Sequence, residues 1–266
     1  MLSHRFFKSE QVSDKYIVLL HGFGGNHRIW KHQIPLLTKQ YNVLAIDLPS
    51  HHEDHKHNLK LSQIEPSLKA VADEILATCD IYDIKSKDTG WMGVSLGTIF
   101  VKYIEAYHPE YVTFGVLVGA VATVNTLFTA IVDLFSHIGD KLPFGLVYRV
   151  FSYVIMPGAD KQESRNIFRK CALALNQHEF KLWMKVFNQA FAFNRRFDDR
   201  VHRNNTYVIG DGDIVFGEKA IHEAADCRSK LVLLPHCGHV CNIDRREKFN
   251  QVMVTILDSR FRAAVQ

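Results

Sequence analysis

The sequence lacks several features that would place it in other classes of protein. No run of five or more residues carries charge of one sign, and the formal net charge is only +4 over 266 residues, so no nucleic-acid partner is expected. The apolar stretches near residues 127–135 and 144–156 are interrupted by Asp133 and Arg149 and are too short and polar to span a membrane. We therefore expect a globular protein without stable membrane insertion.

Features of secreted proteins are also missing. The five cysteines are an odd number, and only Cys237 and Cys241 lie close together, so a disulfide framework is not expected. Residues 1–8 contain no continuous apolar region and no small-residue cleavage site, from which we expect no secretory signal. Together these features predict a cytoplasmic protein.

Short apolar runs alternate with longer segments of helical period along most of the chain. Hydrophobic residues make up 47% of the sequence and charged residues 23%. This alternation predicts an α/β fold, in which a mostly parallel, twisted sheet is covered by helices on both faces. The predicted strands are residues 16–20, 43–46, 90–94, 112–118, 206–209 and 231–234.

The predicted helices have apolar residues three and four positions apart, as one buried helical face requires. In the segment after residue 61, one such stripe runs from Ile64 to Ile75. Ser62 and Glu65 have the spacing of a capping box and predict the start of that helix.

One long segment interrupts the alternation. Residues 120–197 contain no convincing strand but many aromatic side chains, including Phe128, Phe135, Phe151, Trp183, Phe187, Phe191 and Phe193. We interpret this range as a helical cap or lid inserted into a core formed by residues 1–119 and 198–266. Its aromatic content predicts the apolar roof of a pocket.

The pentapeptide at residues 93–97, Gly-Val-Ser-Leu-Gly, matches the pattern G-x-S-x-G. Chance produces this pattern fairly often, so its surroundings carry the argument. An apolar, strand-like run precedes Ser95, and residues 96–107 have an apolar helical face. A strand that turns sharply into a helix at a serine strains that serine and directs the helix N-terminus toward its oxygen. The pattern therefore predicts Ser95 as a nucleophile.

Two further segments resemble known motifs. Residues 16–25, YIVLLHGFGG, resemble a strand followed by an HG loop, and residues 42–51, NVLAIDLPSH, resemble a strand followed by a D-x-P-G-H-G loop. With G-x-S-x-G, these motifs make the chain resemble the α/β-hydrolase family over nearly all of its length outside the insertion. The resemblance implies that the backbone N–H groups of Phe23 and Leu96 form an oxyanion hole. It also implies that His21 holds its loop and takes no part in proton transfer.

A serine hydroxyl needs a base, and that base needs an acid to orient it. In this fold the acid and then the histidine follow the serine along the chain. We predict His239 as the base, because a Gly-His pair follows strand 231–234 ahead of a final helix; His236 is the alternative. We predict Asp213 as the acid, because the family's G-x-x-D spacing favours it over Asp211. Asp213 and His239 should meet at one edge of the sheet, on adjacent strands.

Two segments have the composition of metal sites. Residues 51–57, HHEDHKH, are rich in histidine, but no cysteine accompanies them and we interpret them as a solvated loop. In the loop just before and at the start of this segment, Ser50 and His52 stand where the family usually has glycine, and Asp47 is expected to be structural. Residues 236–241, HCGHVC, lack a second paired half, and zinc there would occupy His239. We therefore expect no metal and no organic cofactor.

The predicted function is that of a serine hydrolase that cleaves a carboxylic ester, or a thioester or lactone, through an acyl-enzyme. Its expected partner is a small-molecule acyl substrate with an apolar group, and a homodimer is compatible with the sequence. The same triad also serves C–C bond hydrolases, aminopeptidases and cofactor-free haloperoxidases of this fold. A triad-retaining small-molecule receptor or signalling protein is the alternative from another class.

Overall fold

Seven strands form the central sheet of the computed structural model, which describes residues 1–52, 59–84, 88–123, 144–158, 161–171, 175–195 and 204–263. The strands are β1 (His4–Phe7), β2 (Tyr16–Leu20), β3 (Asn42–Ile46), β4 (Thr89–Val94), β5 (Phe114–Val118), β6 (Thr206–Gly210) and β7 (Lys230–Leu234). Their spatial order is β1-β3-β2-β4-β5-β6-β7. Strand β1 pairs antiparallel with β3, and all other neighbours pair parallel.

The prediction of a mostly parallel α/β sheet is confirmed, and the six predicted strands agree with β2 to β7 within two residues at each end. Strand β1 was not predicted. Its sequence, His-Arg-Phe-Phe, is only partly buried at the sheet edge, so it lacks the continuous apolar run that marks a strand covered on both faces.

Helices cover both faces of the sheet. They are α1 (Ile34–Leu37), α2 (Leu68–Asp80), α3 (Leu96–Tyr107), α4 (Phe144–Ile155), α5 (Gln162–Cys171), α6 (Gln177–Arg195), α7 (Gly217–Asp226), α8 (Cys241–Asp244) and α9 (Arg246–Ala263). Alternating residues of β2 show how the faces divide. Val18 and Leu20 belong to the core cluster that includes α2, α3 and α7, whereas Ile17 and Leu19 belong to the cluster with α1 and α9.

Helix α2 begins later than the capping-box spacing predicted. Residues Leu61–Gln63 form a separate turn of 3₁₀ helix, and Ser67 caps α2 by accepting a hydrogen bond from the N–H of Ala70 at 3.1 Å. Pro66 lies between the two elements. Because proline disfavours a helical conformation in the residue before it, Glu65 cannot serve inside the first turn of α2.

The described part of residues 120–197 contains α4, α5 and α6 and no strand. Residues 124–143, with Phe128 and Phe135, and residues 196–203 lie outside the described residues, so the predicted limits of the insertion stay a prediction. Within the described ranges, no helix combines the length and hydrophobicity that crossing a membrane requires. All five cysteines are described, and each is buried and outside any disulfide.

Candidate active site

The carboxyl ends of the parallel strands place the predicted site residues at one edge of the sheet. Ser95 follows β4 directly, whereas Asp213 and His239 lie in the loops after β6 and β7. Strands β6 and β7 are adjacent and parallel, as the sequence predicted. Ligand and reaction sites of open α/β sheets lie at this edge.

Ser95 occupies the sharp turn between β4 and α3. Its backbone has φ 51° and ψ −119°, a conformation with positive φ that residues other than glycine rarely adopt. Its N–H donates to the carbonyl of Val118 at 3.0 Å, and its carbonyl accepts from Thr98 Oγ1 at 2.6 Å. Gly97 permits a close approach, because a Cβ there would lie 2.6 Å from the carbonyl oxygen of Leu20. The turn thus holds Ser95 at the N-terminus of α3, where the helix dipole favours negative charge.

His239 bridges the other two predicted residues. Its Nε2 lies 2.8 Å from Ser95 Oγ, and its Nδ1 lies 2.7 Å from Asp213 Oδ2. Because a carboxylate only accepts, Nδ1–H donates to Asp213 and Nε2 accepts from the Ser95 hydroxyl. The imidazole is buried, with the Phe216 ring 4.9 Å away between centroids. Gly119, at φ 52°, allows the chain after β5 to pass close to the backbone of His239, because a Cβ at this position would lie 2.2 Å from the His239 carbonyl oxygen.

Both carboxylate oxygens of Asp213 accept hydrogen bonds. Oδ1 accepts from the N–H groups of Phe216 at 3.1 Å and Val215 at 3.3 Å, while Oδ2 faces His239. Burial alone would raise the pKa of Asp213, but the charge and hydrogen bond of His239, together with the two amides, hold this pKa below its usual range. Asp213 is therefore fixed as a charged acceptor.

The two alternative residues lie elsewhere. Asp211 is exposed, and its Oδ1 accepts from the N–H of Cys237 at 3.2 Å. His236 is exposed as well, with φ 54°, and its carbonyl accepts from Arg245 Nε at 2.7 Å. The structure thus brings His239 and Asp213 to Ser95, and the contacts of Asp211 and His236 shape the loop after β7.

The HG loop lies directly against Ser95. A Cβ on Gly22 would lie 3.0 Å from Ser95 Cβ, so the next peptide group, which carries the Phe23 N–H, is close to the serine. His21 holds this loop: its Nδ1–H donates to the Gly22 carbonyl at 2.7 Å, and its Nε2 accepts from the Leu48 N–H at 2.9 Å. Burial lowers the pKa of His21 to about 4, which keeps the ring neutral. Its predicted role in holding the loop agrees with these contacts.

An apolar pocket opens beside Ser95 and His239. Helices α4, α5 and α6 supply much of its wall, as the aromatic content of this segment predicted. Their side chains in the wall are Phe151, Ile155, Ile167, Phe168, Phe187 and Phe191. Phe23 and Phe216 line the pocket from the loops after β2 and β6. An apolar wall with a few polar groups is typical of sites for small molecules.

The sequence also matches a known protein family. The model of the alpha/beta hydrolase family matches residues 17–252, which is most of the chain. The chain belongs to the α/β-hydrolase family.

Individual relatives match this α/β-hydrolase either over a short range or at low sequence identity. A pimeloyl-[acyl-carrier protein] methyl ester esterase of Photobacterium profundum is 32% identical over 99 residues, which cover 36% of this chain and 34% of that protein. The dihydrolipoyllysine-residue acetyltransferase component of the acetoin cleaving system of Pseudomonas putida is 23% identical over 275 residues, 95% of this chain and 66% of that protein. The chain thus matches about a third of the first relative's length.

Solved structures share the fold. The enol-lactonase from Burkholderia xenovorans LB400 superposes with a TM-score of 0.78 at 16% identity, covering 97% of this chain and 96% of that one. At this identity the likeness shows the fold of the α/β-hydrolase and no more.

The loop after β3 contains contacts that the sequence did not reveal. Ser50 adopts φ 67°, as the glycine usual at this position could do easily. Its hydroxyl donates to the buried carboxylate of Glu179 on α6 and accepts from the Leu61 N–H at 2.9 Å. Trp183, also on α6, donates from Nε1 to the Pro49 carbonyl at 3.2 Å. This departure from the family pattern thus attaches α6 to the core.

The histidine-rich segment that follows is only partly described. Residues 53–58 lie outside the described residues. The interpretation of residues 51–57 as a solvated loop can therefore be compared with the structure only at His51 and His52. His51 is fully buried and its Nδ1–H donates to the Pro49 carbonyl at 2.8 Å, whereas His52 is half-buried. At His51 the expectation of a solvated side chain is therefore wrong, because this ring packs between Phe23 and Trp183.

Proposed function

We propose that the chain is a serine hydrolase that cleaves a carboxylic ester, or a related thioester or lactone, through an acyl-enzyme. The observation that carries this proposal is the hydrogen-bonded series from Ser95 through His239 to Asp213, at 2.8 and 2.7 Å, beside an apolar pocket. This is the arrangement by which a neutral imidazole activates a serine hydroxyl.

In the first half-reaction, Ser95 Oγ attacks the substrate carbonyl carbon while its proton passes to His239 Nε2. Asp213 stabilises the resulting imidazolium, because its carboxylate stays charged and hydrogen-bonded. The N–H groups of Phe23 and Leu96 bind the tetrahedral oxyanion. Leu96 is the first residue of α3, so its N–H has no acceptor within the helix. Collapse expels the leaving group, which takes the proton from His239.

In the second half-reaction, a water molecule attacks the acyl-enzyme and gives its proton to His239 Nε2. Collapse of the new tetrahedral intermediate releases the carboxylic acid and returns the proton to Ser95 Oγ. The three side chains and two amides carry the proton and the charge in both steps.

The apolar wall of the pocket supports a substrate whose acyl group is apolar and binds in this pocket. The side chains of Phe151, Phe187 and Phe191 offer no charge to pair with an acidic or basic acyl chain. The similarity to a methyl ester esterase and to the fold of an enol-lactonase supports esters and lactones as the bonds to test first. Five buried cysteines, none of them in a disulfide, support the cytoplasm as the location.

Labelling with a fluorophosphonate probe tests the nucleophile without knowledge of the natural substrate. We expect peptide mapping to find the label on Ser95, and Ser95→Ala to abolish both labelling and turnover of p-nitrophenyl esters. The matched control is Ser164→Ala, because Ser164 also lines the pocket but its hydroxyl donates to Asp244. That variant should keep its label.

Three outcomes would count against the proposal. Full ester turnover by Ser95→Ala would exclude Ser95 as the nucleophile. A label on Ser164 in the wild-type chain would place the reactive serine elsewhere. Stable labelling of Ser95 with no turnover of any ester would favour a binding protein that retains the same three residues.

A further inference from the structure

Two histidines and an aspartate meet behind the HG loop. His27 Nδ1 lies 2.9 Å from Asp47 Oδ2, and His52 Nε2 lies 3.8 Å from the same oxygen. One potential ligand atom from each of the three side chains lies within 4.8 Å of the others. Asp47 is fully buried, whereas the two imidazoles remain partly exposed. The cluster is therefore anchored inside the protein and reachable from solvent.

Regular elements fix two of these side chains. Asp47 follows β3 directly, and its N–H donates to the Ser3 carbonyl at 2.8 Å. His27 begins the 3₁₀ turn His27–Trp30, which Asn26 caps by accepting from the Arg28 N–H at 3.1 Å. The backbone N–H of His27 also donates to Asp47 Oδ1. A preorganised site of this kind needs little rearrangement to bind an ion.

The proposed hydrolytic site does not use this cluster. Asp47 follows β3, which β2 separates from β4 and Ser95. His21 lies between the two regions, but hydrogen bonds to Gly22 and Leu48 occupy both of its ring nitrogens. The cluster is therefore separate from the proposed hydrolytic site, and hydrolysis does not explain why these three side chains lie together.

Two imidazoles and one carboxylate are a ligand set that suits zinc. Bonds of about 2.0–2.1 Å place the ligands of a tetrahedral zinc ion roughly 3.3 Å apart. The two separations from Asp47, 2.9 and 3.8 Å, lie on either side of that value. In the ion's presence, the metal would replace the proton that His27 Nδ1 shares with Asp47, while the backbone N–H of His27 would continue to orient the carboxylate.

We propose that His27, Asp47 and His52 form a binding site for a divalent cation of the zinc type, with at least one coordination position open to solvent. The ion joins the turn at His27 to the loop after β3. These two segments flank the HG loop, so binding stabilises the part of the fold next to Ser95. His52, which stands where the family's loop usually has glycine, supplies the ligand that completes the set.

Calorimetric titration of the full, untagged chain with Zn²⁺, after dialysis against a chelator, tests the site. We expect one tight site and a rise in Tm on binding, because the ion binds the folded chain. Co²⁺ in place of Zn²⁺ should give the visible absorption of a tetrahedral complex. His27→Gln and His52→Gln should each weaken binding by at least about tenfold.

His222→Gln is the matched control, because His222 is exposed and distant in sequence from the cluster; it should bind Zn²⁺ as the wild-type chain does. His52→Gln is the variant expected to disturb the fold least, because the His52 side chain is partly exposed and lies 3.8 Å from Asp47. Absence of tight binding by the wild-type chain would overturn the proposal. Undiminished affinity in a folded His52→Gln variant would overturn it as well.

Discussion

Replacing Asp213 by asparagine keeps the shape of the side chain but converts one acceptor into a donor. In the wild-type chain, Oδ2 accepts from His239 Nδ1, while Oδ1 accepts from the N–H groups of Phe216 and Val215. If the asparagine oxygen faces the two backbone groups, its amide faces His239 Nδ1. That nitrogen must then accept, the proton moves to Nε2, and Nε2 can no longer accept from Ser95.

The opposite orientation is also unfavourable. The asparagine amide would then face two backbone donors inside the protein, and each unsatisfied buried group costs about 1–3 kcal/mol. The first orientation therefore dominates, and the wrong tautomer of His239 results. We expect kcat/KM to fall by about 10⁴-fold, or about 5.4 kcal/mol at 1.36 kcal/mol for each factor of ten.

The assay compares kcat/KM for one p-nitrophenyl ester in Asp213→Asn, Asp211→Asn and the wild-type chain, with Tm as a check on folding. Asp211 is exposed and contacts the Cys237 N–H, so its variant should stay within a few-fold of wild type. A folded Asp213→Asn variant within tenfold of wild type would refute the reasoning. An equal loss in Asp211→Asn would refute the assignment of the acid.

Three further predictions concern stability. Burial lowers the pKa of His21 to about 4 and that of His51 to about 3, from 6.5; the unfolded chain therefore binds protons that the folded chain does not. The free energy of unfolding should reach its full value well above pH 6.5 and be lower by about 2 kcal/mol for each histidine at pH 5. Urea unfolding at a series of pH values measures this, and a free energy of unfolding that does not change with pH would contradict it. Gly97→Ala should destabilise by about 3 kcal/mol, whereas Gly145→Ala, whose Cβ meets no atom within 4 Å, should not; equal thermal melts would contradict this. Ser50→Ala should destabilise more than Ser50→Gly, by about 1 kcal/mol, because glycine tolerates the positive φ; the reverse order in urea unfolding would contradict it.

Strands β2 to β6 could be predicted because they are buried on both faces of the sheet. Such strands are continuous apolar runs, as at residues 16–20, and their limits are visible in the sequence. Strand β1 has no such signal, because its burial comes from pairing with β3 at the edge. The predicted start of α2 was wrong because the sequence contains two possible capping serines, Ser62 and Ser67. Pro66 disfavours a helix that begins at Ser62, and Ser67 is the cap.

The positions of Ser95, Asp213 and His239 could be predicted from their place along the chain. Parallel strands bring their carboxyl ends to one edge, so residues just after β4, β6 and β7 must approach one another. The contacts that hold Asp213 and the loops around the site in place could not be predicted. The amide of Phe216 and the bond from Ser50 to Glu179 depend on how loops and α6 pack, and no local pattern specifies that packing.

Phe23 connects the predictable and the unpredictable parts of the site. Its N–H is a proposed oxyanion donor, and its position follows from the HG motif after β2. Its ring, however, lies among five aromatic rings of α4 and α6, with centroids 5.2–6.2 Å away: Tyr148, Phe151, Phe180, Trp183 and Phe187. Because backbone and ring belong to one residue, we expect the packing of α4 and α6 to help fix the position of this N–H. In the proposed reaction, the aromatic wall of the pocket therefore supports the oxyanion donor as well as the acyl group.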